Sequence, residues 1–347
     1  MPHPELQISA SPAVFPDNPV LVRIWRGDWV ESQHRGSWAL VDGNGKVLES
    51  AGDVRARVFA RSSLKSIQAL PLLESGAAER FGLGEVEVAL AVSSHSGEPC
   101  HTEPVARLLA RLGLGVEALQ CGPQPPNDSQ TRAELERRGE KPSSLHNNCS
   151  GKHAGFLCLA CHLGLAPERY LDPQAEVQTL VHAAVEAMTG VLPGELSTAI
   201  DGCSAPTFRM PLGRLATAIA RVSNPERLPA KRRAACERVL EAAAHHPELI
   251  AGHHRRLCTD LSRATKGRLF PKIGGEAVYV VGIRGADRGL AVKIDDGETR
   301  GLHPLVIALC ERFGFLGSEE LRALHAWRAG KLRNWAGIEV GRVEVVG

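Results

Sequence analysis

The sequence has 347 residues, of which 43% are hydrophobic and 23% are charged, and its formal net charge is +2 at pH 7. This composition is typical of a globular protein with a large core, and the length fits one two-lobed domain over residues 1–347. The near-neutral charge excludes the basic footprint of a nucleic-acid-binding protein, and no apolar run has membrane-spanning length. Nine scattered cysteines without a signal-peptide pattern predict a cytoplasmic protein with reduced thiols.

Predicted strands open the chain. They are expected at 19–25 and 37–41, and the Asp-Gly-Asn-Gly turn at 42–45 should return the chain along 46–50. The following elements are predicted in order: a helix at 62–75, a buried element running into a polar loop at 84–99, helices at 101–113 and 147–165, and several helices across 173–262. The last third is predicted to hold antiparallel strands at 276–283 and 289–294, helices near 302–313 and 318–327, and a final strand at 338–346.

Strands at both ends with helices between them predict an α+β fold. The economical packing is one antiparallel sheet formed from both termini, flanked by helices, with a helical lobe inserted in the middle. The sheet lobe should take roughly residues 15–75 plus 265–347, and the helical lobe roughly residues 76–264.

The stretch ARSSLKSIQAL begins the first predicted helix and contains a possible catalytic pair. Ser62 and Lys65 are three residues apart, so a helix places them on one face. A serine hydroxyl is a poor nucleophile until a neighbouring base takes its proton. The spacing is weak evidence by itself, because an ordinary amphipathic helix can also contain it.

Two later segments strengthen the catalytic interpretation. Ser94 lies in the polar loop of VSSHSGEP, and Lys272 lies in Lys-Ile-Gly at the start of a predicted strand. Enzymes of the β-lactamase type combine Ser-x-x-Lys, a Ser-containing loop and a Lys-x-Gly strand in this order. The loop is not Ser-Asp-Asn and the strand is not Lys-Thr-Gly, which predicts a related architecture with another substrate.

Other polar clusters leave alternatives open. Cys149 and Lys152 have the same three-residue spacing at a helix start, and Asp201 and Cys203 share a loop flanked by glycine and proline. These residues form a metal site only if the fold brings them together. The CLACH segment at 158–162 matches a haem attachment pattern, but its place inside an apolar helix favours core packing.

Taken together, the sequence resembles the bacterial asparaginase II family of the thermolabile type. The landmarks are RGDWVESQHRGSWALVD, RSSLKSIQALPLLESG, SSHSGEP, HNNCSGKHAGFLCL, DGCSAPTF, HPELIAG and KIGGEAVYVVGI. The resemblance implies a fold similar to serine β-lactamases and bacterial glutaminases, and hydrolysis of the side-chain amide of L-asparagine to L-aspartate and ammonia.

The resemblance also implies roles for individual residues. Ser62 with Lys65 and Ser94 with Lys272 would be two Ser–Lys pairs. We expect Ser62 to attack and the lysines to move protons, with Ser94 as the alternative nucleophile. The implied zinc ligands are Cys149, Lys152 and Cys203. The residues expected to bind substrate are Arg61, Glu98, Asp201 and Asn148.

Departures from the family pattern and rival functions remain. Gly275 and Ala277 replace the usual residues after the Lys-x-Gly segment, and Ser96 stands where many members carry asparagine. Rival functions are a glutaminase, a β-lactamase-like esterase or peptidase, and a small-molecule or zinc-binding sensor without catalysis. We expect a homodimer, since that is the default for an enzyme of this kind.

Overall fold

The computed structural model describes residues 17–192 and 196–346. The strands are β1 (Val20–Arg26), β2 (Trp29–Val41), β3 (Val47–Ala51), β4 (Arg57–Phe59), β5 (Ser197–Ile200), β6 (Pro206–Pro211), β7 (Leu269–Gly274), β8 (Val278–Ile283), β9 (Gly289–Ile294), β10 (Lys331–Arg333) and β11 (Glu339–Val345). The helices are α1 (Lys65–Gln68), α2 (Leu70–Glu74), α3 (Ala77–Arg80), α4 (Glu85–Ala91), α5 (Pro99–Arg111), α6 (Ser129–Arg138), α7 (Ser150–Leu163), α8 (Glu176–Thr189), α9 (Leu212–Ser223), α10 (Ala230–His245), α11 (Pro247–Ile250), α12 (Leu257–Ala264), α13 (Thr299–Arg312) and α14 (Ser318–Ala323).

Eight strands form the main antiparallel sheet. Seven of them follow the order β10-β11-β1-β2-β9-β8-β7, and β3 pairs with β2. The long strand β2 joins the two halves, because its first part pairs with β1 and its second part with β9. The predicted α+β fold, with one antiparallel sheet built from both ends of the chain, is confirmed.

Helices cover both faces of this sheet. Along β2 and β8, alternate side chains enter two separate cores, as the two-residue period of a strand requires. Trp38 and Tyr279 belong to the core that includes helix α13, whereas Ala39 and Val280 belong to the core that includes α9. The strands are therefore buried on both sides, which explains their nearly continuous apolar sequence.

A second, smaller sheet was not predicted. It has three strands in the order β4-β6-β5, and it brings residues 197–211 against the chain just before the Ser-x-x-Lys segment. The predicted loop around Asp201 and Cys203 is consequently the turn of a hairpin. Within the described residues, no helix combines the length and the apolar character needed to cross a membrane.

The helix predicted over 62–75 is broken into three pieces. A 3-10 turn covers Arg61–Leu64, and two short helices follow with a break at Ala69. Pro71 lacks an N–H and cannot donate to the carbonyl of Ile67, which interrupts the helical ladder. The break at Ala69 lies after both Ser62 and Lys65, so it does not separate these two catalytic candidates.

Candidate active site

The Ser-x-x-Lys segment is anchored by its first residues. The Ala60 N–H donates to the carbonyl of Phe208 in β6 at 2.9 Å, which ties the segment to the small sheet. Arg61 follows with a φ of 50°, an uncommon backbone conformation for a residue other than glycine. Such strain persists only where the surroundings hold it, and it often marks a functional site. Ser62 is partly exposed, whereas Lys65 is only 1% exposed.

The second serine lies in the loop that follows α4. Ser94 is buried, and its N–H donates to the carbonyl of Ile250 at 2.8 Å. Lys272 comes from a different part of the chain. It lies inside strand β7, at the edge of the sheet, and its side chain is 0% exposed. The sequence placed Lys272 at the start of a strand over 276–283. The structure puts it in a separate strand that ends at Gly274, so the prediction missed β7.

Both lysines converge on one serine. Lys272 Nζ donates to Ser94 Oγ at 2.7 Å, and Lys65 Nζ donates to the same oxygen at 3.1 Å. Lys65 also donates to the carbonyl of Ser93, and Lys272 donates to the carbonyl of Ile273 at 3.2 Å. A hydroxyl that contacts two amines in this way can pass a proton from one to the other.

Burial disfavours a charged amine in this cluster. The pKa of Lys272 lies well below its usual value, first because the side chain is buried and second because the positive charge of Lys65 is near. The pKa of His95 is also far below its usual value, chiefly through burial and then through His101 and Lys65. The neighbourhood of Ser94 therefore contains a lysine that favours its neutral, basic form.

Ser62 is more exposed than the three residues of this cluster. Among the described residues its hydroxyl has no hydrogen bond, and Lys65 donates to Ser94 instead of to Ser62. The direct contact expected between Ser62 and Lys65 is thus absent from the hydrogen bonds of the described chain. The two serines differ in surroundings: Ser94 is fixed between amines, and the hydroxyl of Ser62 is free to meet a ligand.

Two residues predicted to bind substrate are paired with each other. Arg61 Nη2 lies 2.7 Å from Asp201 Oδ1, and Arg61 Nε donates to the same oxygen at 2.8 Å. Asp201 lies in the hairpin turn between β5 and β6, which the sequence predicted as a loop, and this turn places it beside Arg61. Gly275 lies beside the pair: a Cβ at that position would come within 3.1 Å of the Arg61 guanidinium carbon.

The three residues predicted to bind metal lie close to the lysine cluster. Lys152 Nζ is 3.2 Å from Cys203 Sγ, and all three side chains are buried. The pKa of the Cys149 thiol lies well below its usual value, first through its hydrogen bond with Cys203, and despite burial. Burial acts to lower the pKa of Lys152, but the two thiols outweigh it and raise that pKa. Asn148 lies alongside, and its Oδ1 accepts from the Cys149 thiol at 3.0 Å.

Glu98, which was also predicted to bind substrate, is paired with His253. Its Oε1 accepts from the His253 N–H at 3.0 Å, and its Oε2 lies 2.6 Å from His253 Nδ1. Glu98, Cys100 and His101 bring potential metal-binding atoms within 4.8 Å of one another. Both ring nitrogens of His101 are already used, because Nδ1 accepts from the Glu98 N–H and Nε2 contacts the carbonyl of Glu248. In this structure the group is therefore the hydrogen-bonded start of helix α5.

Sequence analysis missed Arg256. Its side chain donates to the carbonyl of Ser94 at 2.7 Å and to Ser96 Oγ at 2.9 Å. It stands in a run of histidines and arginines that reads as a solvated surface, and more than 150 residues separate it from Ser94. No local pattern could indicate this contact.

A model of the L-asparaginase II family matches residues 22–345. Among solved structures, the chain is similar to one described as Mglu in its glutamate form, with 14% identity over 83% of this chain and 61% of that chain, and a TM-score of 0.44. It is also similar to a beta-lactamase from Mycobacterium bovis, with 14% identity over 80% of this chain and 94% of that chain, and a TM-score of 0.41. The chain thus spans less than two thirds of the length of the first structure. No curated protein matches the sequence significantly.

Proposed function

The chain belongs to the L-asparaginase II family, and from this premise we propose that it hydrolyses the side-chain amide of L-asparagine to L-aspartate and ammonia. Family membership supports the coarser statement that the protein is an amide hydrolase. The observation that carries the proposal is the junction at Ser94, whose Oγ lies 2.7 Å from Lys272 Nζ and 3.1 Å from Lys65 Nζ. A neutral amine can take the proton of a serine nucleophile, and this junction would supply such an amine beside the turn that carries Ser62, which packs against strand β7.

Ser62 is the proposed nucleophile. Its hydroxyl is partly exposed and free of internal hydrogen bonds among the described residues, while Ser94 is buried between two amines. Ser62 Oγ forms a bond to the amide carbon, and its proton passes to Lys65, which would turn from Ser94 to Ser62 when substrate is bound. Lys65 Nζ and Lys272 Nζ both contact Ser94 Oγ, so the proton can continue through that hydroxyl, which joins the two amines into a chain. The C–N bond breaks, the same chain returns a proton to the leaving ammonia, and an ester remains on Ser62.

Water completes the reaction. It attacks the ester carbon, gives its proton to the same amine chain, and releases L-aspartate as the Ser62 oxygen takes a proton back. No group is oxidised or reduced, and the enzyme returns to its starting protonation. Lys272 supplies the basic capacity, because burial lowers its pKa and favours the amine that can accept a proton.

We propose that the Arg61–Asp201 pair binds the α-carboxylate and α-ammonium groups of the substrate. The substrate carries an α-carboxylate and an α-ammonium, which match a guanidinium and a carboxylate respectively. On binding, the contact between the two side chains would give way to one contact each with the substrate. Gly275 leaves room for the Arg61 guanidinium, since a side chain there would press on it.

Zinc is the proposed cofactor, and the side chains fit it. Cys149 and Cys203 offer two buried sulfur donors, which zinc favours. Lys152 offers a nitrogen donor only after it loses its proton, and because the two thiols raise its pKa, zinc would have to displace that proton on binding. When bound, zinc would supply a fixed positive charge near Lys65, which lies beside Cys149. Elemental analysis should find zinc in the purified protein and should find it reduced in Cys203→Ala. Cys236→Ala, a buried cysteine in helix α10, is the matched control and should retain the metal.

The decisive experiment is ammonia release from L-asparagine and L-glutamine side by side. We expect turnover of asparagine by the native chain and a loss of at least roughly 10³-fold in Ser62→Ala. Ser66→Ala is the control, because Ser66 lies in the same segment and its buried hydroxyl has no partner among the described residues. Near-native rates in Ser62→Ala would end the assignment of the nucleophile.

A second measurement separates an enzyme from a sensor and identifies the attacking serine. Acid quenching during turnover, followed by peptide mass spectrometry, should find the aspartyl ester on the peptide that contains Ser62. An ester on Ser94 would exchange the roles of the two serines. Binding of asparagine without ammonia release would support the sensor instead.

A further inference from the structure

The loop that presents Ser94 is fastened to a distant segment of the chain. The Ser94 N–H donates to the carbonyl of Ile250 at 2.8 Å, and Ser96 Oγ donates to the carbonyl of Ala251 at 2.8 Å. Arg256 also binds this loop. Its Nη2 donates to the carbonyl of Ser94 at 2.7 Å, and its Nη1 donates to Ser96 Oγ at 2.9 Å. The planar fork of one guanidinium therefore fixes two points of the loop at once.

A second contact holds the same two segments together. Glu98 Oε1 accepts from the His253 N–H at 3.0 Å, and Glu98 Oε2 lies 2.6 Å from His253 Nδ1. Thr259 Oγ1 donates to the carbonyl of Gly252 at 2.7 Å, which fixes the segment to helix α12. The surroundings of Arg256 are thus rigid, so its fork is aimed at the loop before any ligand arrives.

Among the described residues, no carboxylate forms an ion pair with the guanidinium of Arg256. In the described parts of the chain its hydrogen bonds end on a carbonyl and a hydroxyl, and a guanidinium stays protonated at any accessible pH. The groups that act on Lys272 are Lys65 and Arg256, which disfavour its charge, and the thiols of Cys258 and Cys149, which favour it. Burial of Lys272 remains the larger influence.

We infer that Arg256 is a positioning residue for this site: it fixes Ser94 between the two lysines and keeps an unpaired positive charge beside them. The catalytic half of this inference rests on the proposed function. An arginine with a merely structural role would need only its two hydrogen bonds. The charge and the fork can be separated, because lysine keeps the charge without the fork and methionine keeps neither.

The first test is the pH profile of kcat/KM for Arg256→Met, Arg256→Lys and the control Arg255→Met. Arg255 is the exposed neighbour, and no hydrogen bond of its side chain occurs in the described residues. Arg256→Met should lose roughly 10²-fold in kcat/KM, because the loop no longer holds Ser94 in place. Its acidic limb should move up by about 1 pH unit, since removing a positive charge makes Lys272 easier to protonate.

The other two variants separate the roles. Arg256→Lys should lose activity while its acidic limb stays at the native pH, because the charge is kept and the fork is lost. Arg255→Met should match the native protein in both respects. If Arg256→Met matches Arg255→Met in rate and in acidic limb, the inference is overturned. If Arg256→Met fails to fold, Arg256→Gln supplies the neutral variant, since its amide can still donate to the carbonyl of Ser94.

The second test needs no turnover. Lysine labelled with ¹³C at the ε carbon reports its own titration by NMR, and the Lys272 signal is identified by its loss in Lys272→Met. We expect Lys272 to titrate at higher pH in Arg256→Met than in the native chain, and unchanged in Arg255→Met. Equal titrations in all three would refute the charge role. Absence of asparagine hydrolysis in the native chain would refute the proposed function and leave this test intact.

Discussion

Lys272 is buried inside a strand and donates to a hydroxyl instead of to a carboxylate. An acidic partner would stabilise the ammonium, as in an ordinary buried ion pair, and would leave no base. Its hydrogen-bond acceptors are Ser94 Oγ and the carbonyl of Ile273, which are both neutral. The surroundings of this one residue are therefore suited to catalysis at the expense of stability.

That trade-off gives a prediction for Lys272→Met. Methionine fills a similar volume without a titratable group, so we expect the free energy of unfolding at pH 7 to rise by about 1 kcal/mol. Activity should fall by at least roughly 10³-fold, because the proton chain loses its base. Thermal or urea unfolding and the ammonia assay measure the two effects, and Lys231→Met on the exposed face of helix α10 is the control.

The lowered pKa of Lys272 also makes the free energy of unfolding depend on pH. The folded-state pKa of Lys272 is lowered from 10.5, so the unfolded chain binds the extra proton in the window between the two values. Native stability should therefore rise with pH through that window, and the advantage of Lys272→Met should shrink as the pH approaches 10.5. A difference that stays constant with pH would show that Lys272 titrates as an ordinary lysine.

Two polar segments that hydrogen-bond to each other fix the position of Ser94. Residues 93–98 follow helix α4, and residues 250–256 lead into helix α12. Gly252 lies at their closest approach, with a φ of +142°. A Cβ there would come within 2.5 Å of Ser96 Oγ and 2.6 Å of Glu98 Oε1, so this position requires glycine. Because Gly252 has no Cβ, Ser96 and Glu98 can keep their positions in the Ser94 loop.

Gly252→Ala should consequently damage both stability and activity. The added methyl displaces Ser96 and Glu98, which should cost about 1–3 kcal/mol beyond backbone strain and should lower kcat because Ser94 moves. Gly82→Ala is the matched control: its φ is +61°, and no atom lies within 4 Å of the added Cβ. It should lose about 1–2 kcal/mol through strain alone and keep its kcat. Equal kcat in the two variants would contradict the proposed coupling.

The main sheet joins strands from the two ends of the described chain. Strand β11, near the end, pairs with β1 near the beginning, over a register from Val22↔Val345 to Arg26↔Gly341. The pairing of β2 with β9 joins the early strands to β7–β9, and it thereby brings Lys272 in β7 near the segment that carries Ser62.

A chain that ends at residue 330 tests the pairing of β11 with β1. It lacks β10 and β11, so β1 becomes an edge strand with unpaired backbone groups and its buried Val22 and Ile24 lose cover. We expect the thermal midpoint to fall by about 5–10 °C, with a tendency to aggregate. Trp335→Ser, at a fully exposed position in the same hairpin, should leave the midpoint unchanged. An unchanged midpoint in the shortened chain would show that β1 needs no partner.

The sequence by itself determined the α+β class, the sheet built from both ends, and the segments that carry Ser62, Lys65, Ser94 and Lys272. These follow from apolar periodicity and turn residues, which act over a few residues and are visible in one stretch of chain. It missed strand β7, in which Lys272 lies, because Pro271 and two glycines disguise a short strand.

Only the tertiary structure decided how these segments meet. Both lysines contact Ser94, Arg61 pairs with Asp201, and Arg256 holds the Ser94 loop across more than 150 residues. Such contacts depend on strand register and on close backbone approach, which no local pattern encodes. The types of residue were therefore readable from the sequence, whereas their partners required the fold.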